Sequence, residues 1–200
     1  MPVEVQAGTP ARREVTFVHS AAFPEGTVVD LPAGGRPSGW LASAEADVDG
    51  GRVHSVAVSM PGTPPCWYVE VPEPDADPVA TNLLAFSDTR FPEGAVLDAE
   101  QAEVAGVTGA HQVAAMRWLP ASGLVHQVYV GPTYRRRGLA LKLGLAAFAL
   151  QVARGLPVLH EDGRRTDLGE AWMGSLPPVM AVRVGERTHW MPPMTPAVSA

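Results

Sequence analysis

The stretch Val130-Gly131-Pro132-Thr133-Tyr134-Arg135-Arg136-Arg137-Gly138-Leu139-Ala140 holds the residues whose spacing points most directly to chemistry. A β-branched and aromatic run, residues 124–130, leads into it, and an apolar run, residues 138–153, leads out. It therefore reads as strand, loop and helix start. The first turn of a helix leaves backbone N–H groups without intrahelical partners and carries a partial positive charge. Phosphate oxygens bind at such an end. Gly138 is expected to let the backbone approach a pyrophosphate with no Cβ in the way, and Ala140 to keep the first turn slim. Arg135, Arg136 and Arg137 add positive charge, although not all three can face one ligand. A P-loop is excluded because no Gly-Lys-Ser/Thr follows.

This segment resembles the coenzyme A site of the GNAT N-acetyltransferase superfamily, whose pattern is Val-x-Pro-x-Tyr-Arg-x-x-Gly-x-Gly/Ala after a central strand. Val130, Pro132, Tyr134, Arg135, Gly138 and Ala140 match it. The resemblance covers residues 111–185. It implies a GNAT-like fold of the α/β class, in detail an α+β mixed sheet, with two central parallel strands splaying apart around the acyl thioester. It implies acetyl-CoA, or another short acyl-CoA, as co-substrate and no metal. It also implies transfer of the acyl group to a primary amine by direct attack through a tetrahedral intermediate. Carried over residue by residue, Val128, Tyr129 and Val130 supply backbone groups to pantetheine and the acyl carbonyl. Arg135, Arg136, Arg137, Gly138, Leu139 and Ala140 hold the pyrophosphate.

The resemblance weakens at the acid and the base. Such enzymes often carry a Glu on the strand before the loop, and residues 124–130 contain no carboxylate. His126 is the titratable base on that run, and side-chain alternation puts it on one face with Val128 and Val130 unless a bulge intervenes. His160, in His160-Glu161-Asp162 at the end of the next expected strand, is a second candidate base. The helix that should carry a thiolate-protonating Tyr has Trp172, which has no hydroxyl and reads as packing, beside the pantetheine if anywhere. Tyr129 is the remaining candidate acid. Arg164 and Arg165 either reach a 3′-phosphate or are solvated. Cys66 reads as a small buried residue.

These residues need elements to hold them. Residues 1–13 read as a tail, and 14–192 as one domain with a β-rich N-terminal half. Within it, 14–110 form the acceptor side and 111–185 the coenzyme A part, with 193–200 a second tail. Strands are expected at 14–19, 111–119, 124–130, 156–160 and 179–184. Residues 52–60 and 66–71 suggest a hairpin, while 24–39 and 72–78 are loops. Short helices are expected at 81–86 and 98–104, a long helix at 138–153 closed by Gly155, and another from Thr166 or Asp167, with Glu170 completing a cap.

Composition sets the outer bounds. The 200 residues carry a net charge of −6, with 46% hydrophobic and 18% charged residues, which suits a soluble domain. Residues 135–165 hold seven basic against two acidic groups, leaving eight against nineteen elsewhere. An island of positive charge on an acidic chain suits a small anion better than nucleic acid. Lys142 is the only lysine, and with one cysteine there is no disulfide within the chain and no cysteine-based metal site. The apolar run at 138–153 is too short to span a membrane. Without a secretory signal, the expected location is cytoplasmic. The alternatives are an acyl-CoA-binding regulatory module without turnover and, less favoured, a nucleic-acid binder. The amine, small-molecule or protein, and the oligomeric state stay open.

Overall fold

The computed structural model describes residues 12–18, 39–49, 51–176, 181 and 184–192. Its order is β1 (Arg12–Val18), β2 (Trp40–Asp47), β3 (Val53–Val58), β4 (Trp67–Glu73), β5 (Ala80–Phe86), β6 (Val96–Leu97), α1 (Ala99–Val104), β7 (Gln112–Leu119), β8 (Leu124–Val130), α2 (Leu139–Ala153), β9 (Arg164–Arg165), α3 (Asp167–Met173) and β10 (His189–Trp190). The fold is mixed α+β. A five-stranded mixed sheet runs β6-β4-β5-β7-β8, a three-stranded sheet runs β1-β2-β3, and β9 pairs with β10. In the larger sheet only β4 and β6 are parallel. The two larger sheets meet where Ser55 of β3 bridges Ala95, beside β6.

Helix α2 explains this arrangement. Its sequence, LALKLGLAAFALQVA, is rich in strong helix formers, with no proline and one β-branched residue, Val152. It has no polar face, and ten of its residues are buried. A helix that is apolar all round must be enclosed. Ala42, Ala44 and Ala46 of β2 and Val53 and Val56 of β3 share its core with Leu83, Ala85, Ala114, Met116 and Trp118 of the larger sheet. Leu150 is fully buried here, so truncating it to Ala would cost about 2–5 kcal/mol. The polar side chains that α2 carries into the core are paired. Gln151, 1% exposed, accepts from Trp118 Nε1 at 3.0 Å and donates to the carbonyls of Pro120 and Pro157. Arg154, at the C-cap, forms a two-pronged pair with Glu70 of β4. Gly155 follows at φ +66°, the left-handed exit expected of it.

Several expectations change. Residues 81–86 form part of strand β5, not a helix, because pairing with β4 and β7 overrides the helical propensity of Leu-Leu-Ala. Residues 52–60 and 66–71 are not a hairpin: β3 pairs with β2, and β4 pairs with β5 and β6. Arg12 and Arg13 open β1 rather than belonging to a tail. Residues 156–160 form no strand; Pro157, Val158 and His160 are exposed, and a single parallel bridge joins His160 to Leu124. Glu170 completes no cap, since Thr166 caps α3 by accepting from Gly169 N–H. Residues 98–104 are helical as expected, with a reciprocal cap between Asp98 and Gln101. The loop at 24–39 and the strand at 179–184 fall mostly outside the described residues.

One core group is left unsatisfied. Tyr68, 1% exposed on β4, has no hydrogen-bond partner for its hydroxyl among the described residues. Burial pushes the phenol pKa well up, so the hydroxyl stays neutral. Tyr68→Phe deletes that orphan and is expected to raise stability by about 1–2 kcal/mol, roughly 2–8 °C in Tm, in a thermal melt.

Candidate functional site

Strand β8 carries the site, and its two edges differ. On one edge it pairs with β7 from Leu124 to Val130. Gly131 N–H donates to Val113 O at 2.9 Å, so by antiparallel alternation Tyr129 exchanges its hydrogen bonds with Ala115. The peptide groups of Val128 and Val130 then face the other edge. There, among the described residues, only the bridge at the start of the strand pairs it: His160 N–H donates to Gly123 O and Val125 N–H to His160 O. Beyond Val125 no further backbone pairing joins the two segments among the described residues, which leaves that stretch of the β8 edge open. Val128 therefore turns its peptide groups, and Val130 its N–H, to this open edge, with Val130 O taken by Arg135 Nε at 3.1 Å, whereas the N–H and C=O of Tyr129 are turned to β7. The Tyr129 ring leaves the face opposite α2, since it sits across from Ala115 while Val128 and Val130 pack into the α2 core.

The loop after β8 builds an electropositive end. A 3-10 turn at Pro132–Tyr134 leads to Arg135, and Arg136 takes a left-handed φ of +58°, which few non-glycine residues do. Gly138, the N-cap of α2, sits at φ +78°, and among the described residues no side chain caps the helix. The N–H groups of Leu139, Ala140 and Leu141 thus open the helix as donors without intrahelical acceptors. The three arginines diverge. Arg135 Nε reaches back to Val130 O at 3.1 Å, Arg137 lies over the Tyr134 ring at 5.6 Å, and Arg136 is exposed. None of them pairs with a carboxylate among the described residues. The rest of the positive island is largely spent. Lys142 is buried against Glu93 and Pro64 O, Arg154 holds Glu70, and Arg165 holds Glu161 and Glu170.

Gly138 is also needed for a reason the sequence did not suggest. A Cβ there would come within 2.6 Å of Thr63 Cγ2 and 3.2 Å of Met60 Cε. It would strike the loop before β4, in a conformation that L-residues rarely adopt. Substitution at Gly138 would disturb the fold itself.

The two histidines occupy different places. The β7–β8 register skips a residue between Arg117↔Gln127 and Trp118↔Val125, so His126 is the bulged residue. The bulge moves it off the face of Val128 and Val130, to where Arg117 Nη1 lies 3.4 Å from its Nδ1. His160 is exposed and stands beside Leu124, six positions before Val130, or roughly 20 Å along an extended chain. The two histidines thus bracket the point where that pairing ends, and the phosphate-ready loop lies at the far end of β8.

The C-terminal segment is held by Arg165, not solvated as one reading had it. With 5% of its side chain exposed, it binds Glu161 and Glu170 and donates to Gly185 O. Arg164 is exposed. Trp172 on α3 is half-buried, and its indole N–H is buried without a partner among the described residues. Cys66 is buried, as expected, and desolvation pushes its thiol up to about 11. Among the described residues no three His, Cys, Asp or Glu side chains gather to hold a metal, and no helix is long and apolar enough to cross a membrane.

No family model, curated protein or solved structure matches the chain.

Two outcomes follow. Ala140→Asp puts a carboxylate in the first turn of α2, where the helix dipole favours it, so stability should hold or rise by up to about 1 kcal/mol. The same charge should abolish binding of a phosphate-bearing ligand in a titration. Glu161 gives the second. Burial raises its carboxyl, but Arg165 and the N–H groups of Gly163 and Gly185 outweigh burial and hold it below the ordinary range. A folded pKa below the unfolded value of about 4.3 stabilises the protein above that pH, and the contribution is lost as pH falls through the lower folded value. Hydrogen-exchange protection at Gly163 and Gly185 should therefore fall below about pH 4 before that of α2 does.

Proposed function

We propose that the chain is an acyl-CoA-dependent N-acyltransferase of GNAT-like fold, moving an acetyl or other short acyl group to a primary amine. The observation that carries this reading is the order strand with an open edge, electropositive loop, uncapped helix N-terminus, all within residues 124–141. The pyrophosphate takes the N–H groups opening α2 and the charge of Arg135 to Arg137. Pantetheine lies along the open edge and bonds the outward peptide groups of Val128 and the N–H of Val130, as a short added strand would. The acyl carbon then lies towards the other end of β8, near the bulge. There the amine nitrogen attacks the thioester, the tetrahedral intermediate collapses, and coenzyme A leaves as the thiol.

A second reading has its own observation: no carboxylate stands on β8. In that case the chain binds acyl-CoA without turning it over and acts as a sensor. Calorimetry with acetyl-CoA comes first. Saturable binding is expected, and no heat at millimolar ligand would sink both readings. Thiol release across a panel of amines then separates them. Turnover on any acceptor establishes the transferase, and binding with no release on all of them favours the sensor.

A further inference from the structure

We propose that His126 serves this reaction as a hydrogen-bond donor to the acyl oxygen, and that Arg117 is the positioning residue that makes it one; the proposal rests on the acyltransferase reading.

Four side chains from four strands line up on the sheet face away from α2. Glu73 of β4 accepts from Asn82 Nδ2 of β5 at 2.6 Å and from Arg117 Nε and Nη2 of β7 at 3.1 and 2.8 Å. Arg117 then turns Nη1 to His126 Nδ1 on β8. Arg117 is fixed on this face because its neighbours Met116 and Trp118 are buried in the α2 core. The bulge brings His126 to the same face; without it the ring would follow Val128 and Val130 into that core.

The chemistry follows from what arginine lacks. A guanidinium has five N–H donors and no acceptor, so His126 Nδ1 must accept. A neutral ring has one lone pair, and it is used here. The proton sits on Nε2, and Nε2–H is the free end of the ring. In this geometry His126 has no basic nitrogen to offer an incoming ammonium. It has a donor, and it follows directly on Val125, the last β8 residue tied to the His160 segment. A donor at the head of the open edge can bond an acyl oxygen as negative charge develops on it. The amine then enters as its free base, having lost its proton to water.

Donor and base roles separate under one pair of substitutions. Glutamine carries an amide N–H close to where Nε2–H stands but cannot accept a proton. If His126 donates, His126→Gln keeps turnover within about 10-fold, while His126→Ala loses about 10²–10³-fold. A base would be lost equally in both, and equal losses overturn the donor role. His126 is exposed, so both variants should fold. For positioning, Arg117→Ala should lower turnover when His126 is present and change nothing in the His126→Ala background, with Arg117→Lys restoring most of the rate. Additive losses overturn the coupling. Nitrogen-15 spectra of histidine-labelled protein read the ring without turnover: Arg117→Ala must shift the Nδ1 and Nε2 signals of His126, and an unchanged spectrum overturns positioning. Acetyl-CoA affinity should be the same in every variant. If the unmodified protein fails to bind acetyl-CoA, the acyltransferase reading falls by that measurement alone, whatever the spectra show.

Discussion

The structure depends on a helix with nothing to show to water. Helix α2 spends no residue on a polar stripe, so one sheet cannot satisfy it, and a second must cover the side that the first leaves open. The N-terminal strands supply that cover, with the alanines of β2 and the valines of β3 lying against α2. The small alanines let the sheet come close. Two ion pairs fix the helix along its length: Lys142 ties its first turns to Glu93 and the Pro64 carbonyl, and Arg154 ties its end to Glu70. An arginine would project further than the lysine and carry a planar head into a buried slot 3% exposed. That gives a physical reason for the one lysine in a chain that otherwise uses arginine.

Enclosing α2 also sets where its N-terminus opens. The first turn follows β8 by eight residues, and Gly138 is packed against Thr63 and Met60, so the loop cannot drift from the strand. The left-handed turns at Arg136 and Gly138 leave the helix donors uncapped by any side chain among the described residues. A buried helix needs its N-terminal donors satisfied by some partner, and none of those side chains does so. Meanwhile Lys142, Arg154 and Arg165 are taken by Glu93, Glu70, Glu161 and Glu170, which leaves the arginine run as the basic feature beside those donors.

How much of this the residues reveal by themselves depends on the range of the interaction. The strand, loop and helix at 124–153 are local, with period and caps written in adjacent residues, and they lie where the pattern puts them. The reciprocal cap of Asp98 and Gln101 is equally local. Strand partners are not. Residues 81–86 read as helix because Leu-Leu-Ala favours it, yet two neighbouring strands claim them. Nothing in Pro61-Gly62-Thr63-Pro64-Pro65 reveals that it joins two sheets rather than closing a hairpin. Arg165 read as solvated or as reaching a 3′-phosphate because its three acceptors lie at 161, 170 and 185, brought together only by the chain's path. Of the site, the composition of the anion-ready loop was legible. The role of Gly138 was half so: its glycine identity could be read, but the side chains its Cβ would strike lie 75 and more residues away.

The bulge is the least legible feature and the one on which the chemistry of His126 turns. An exposed strand edge invites pairing with other chains, and proteins blunt such edges. Here both ends of the β8 edge are occupied, by the His160 backbone at one and Arg135 Nε at the other, and the peptides between them stay open. A bulge strengthens local twist and bends the strand, so the edge is not the flat template that aggregation needs. The same extra residue rotates His126 out of the apolar face, where an imidazole would be buried among valines, and sets it beside Arg117. One inserted residue therefore protects the edge, spares the core a polar ring and sets that ring beside a guanidinium. The reading of His126 as a base rested on its being the titratable base on β8, with alternation holding unless a bulge intervened; the bulge is there, the partner of Nδ1 is a cation that can only donate, and the role proposed for the ring is to donate in turn.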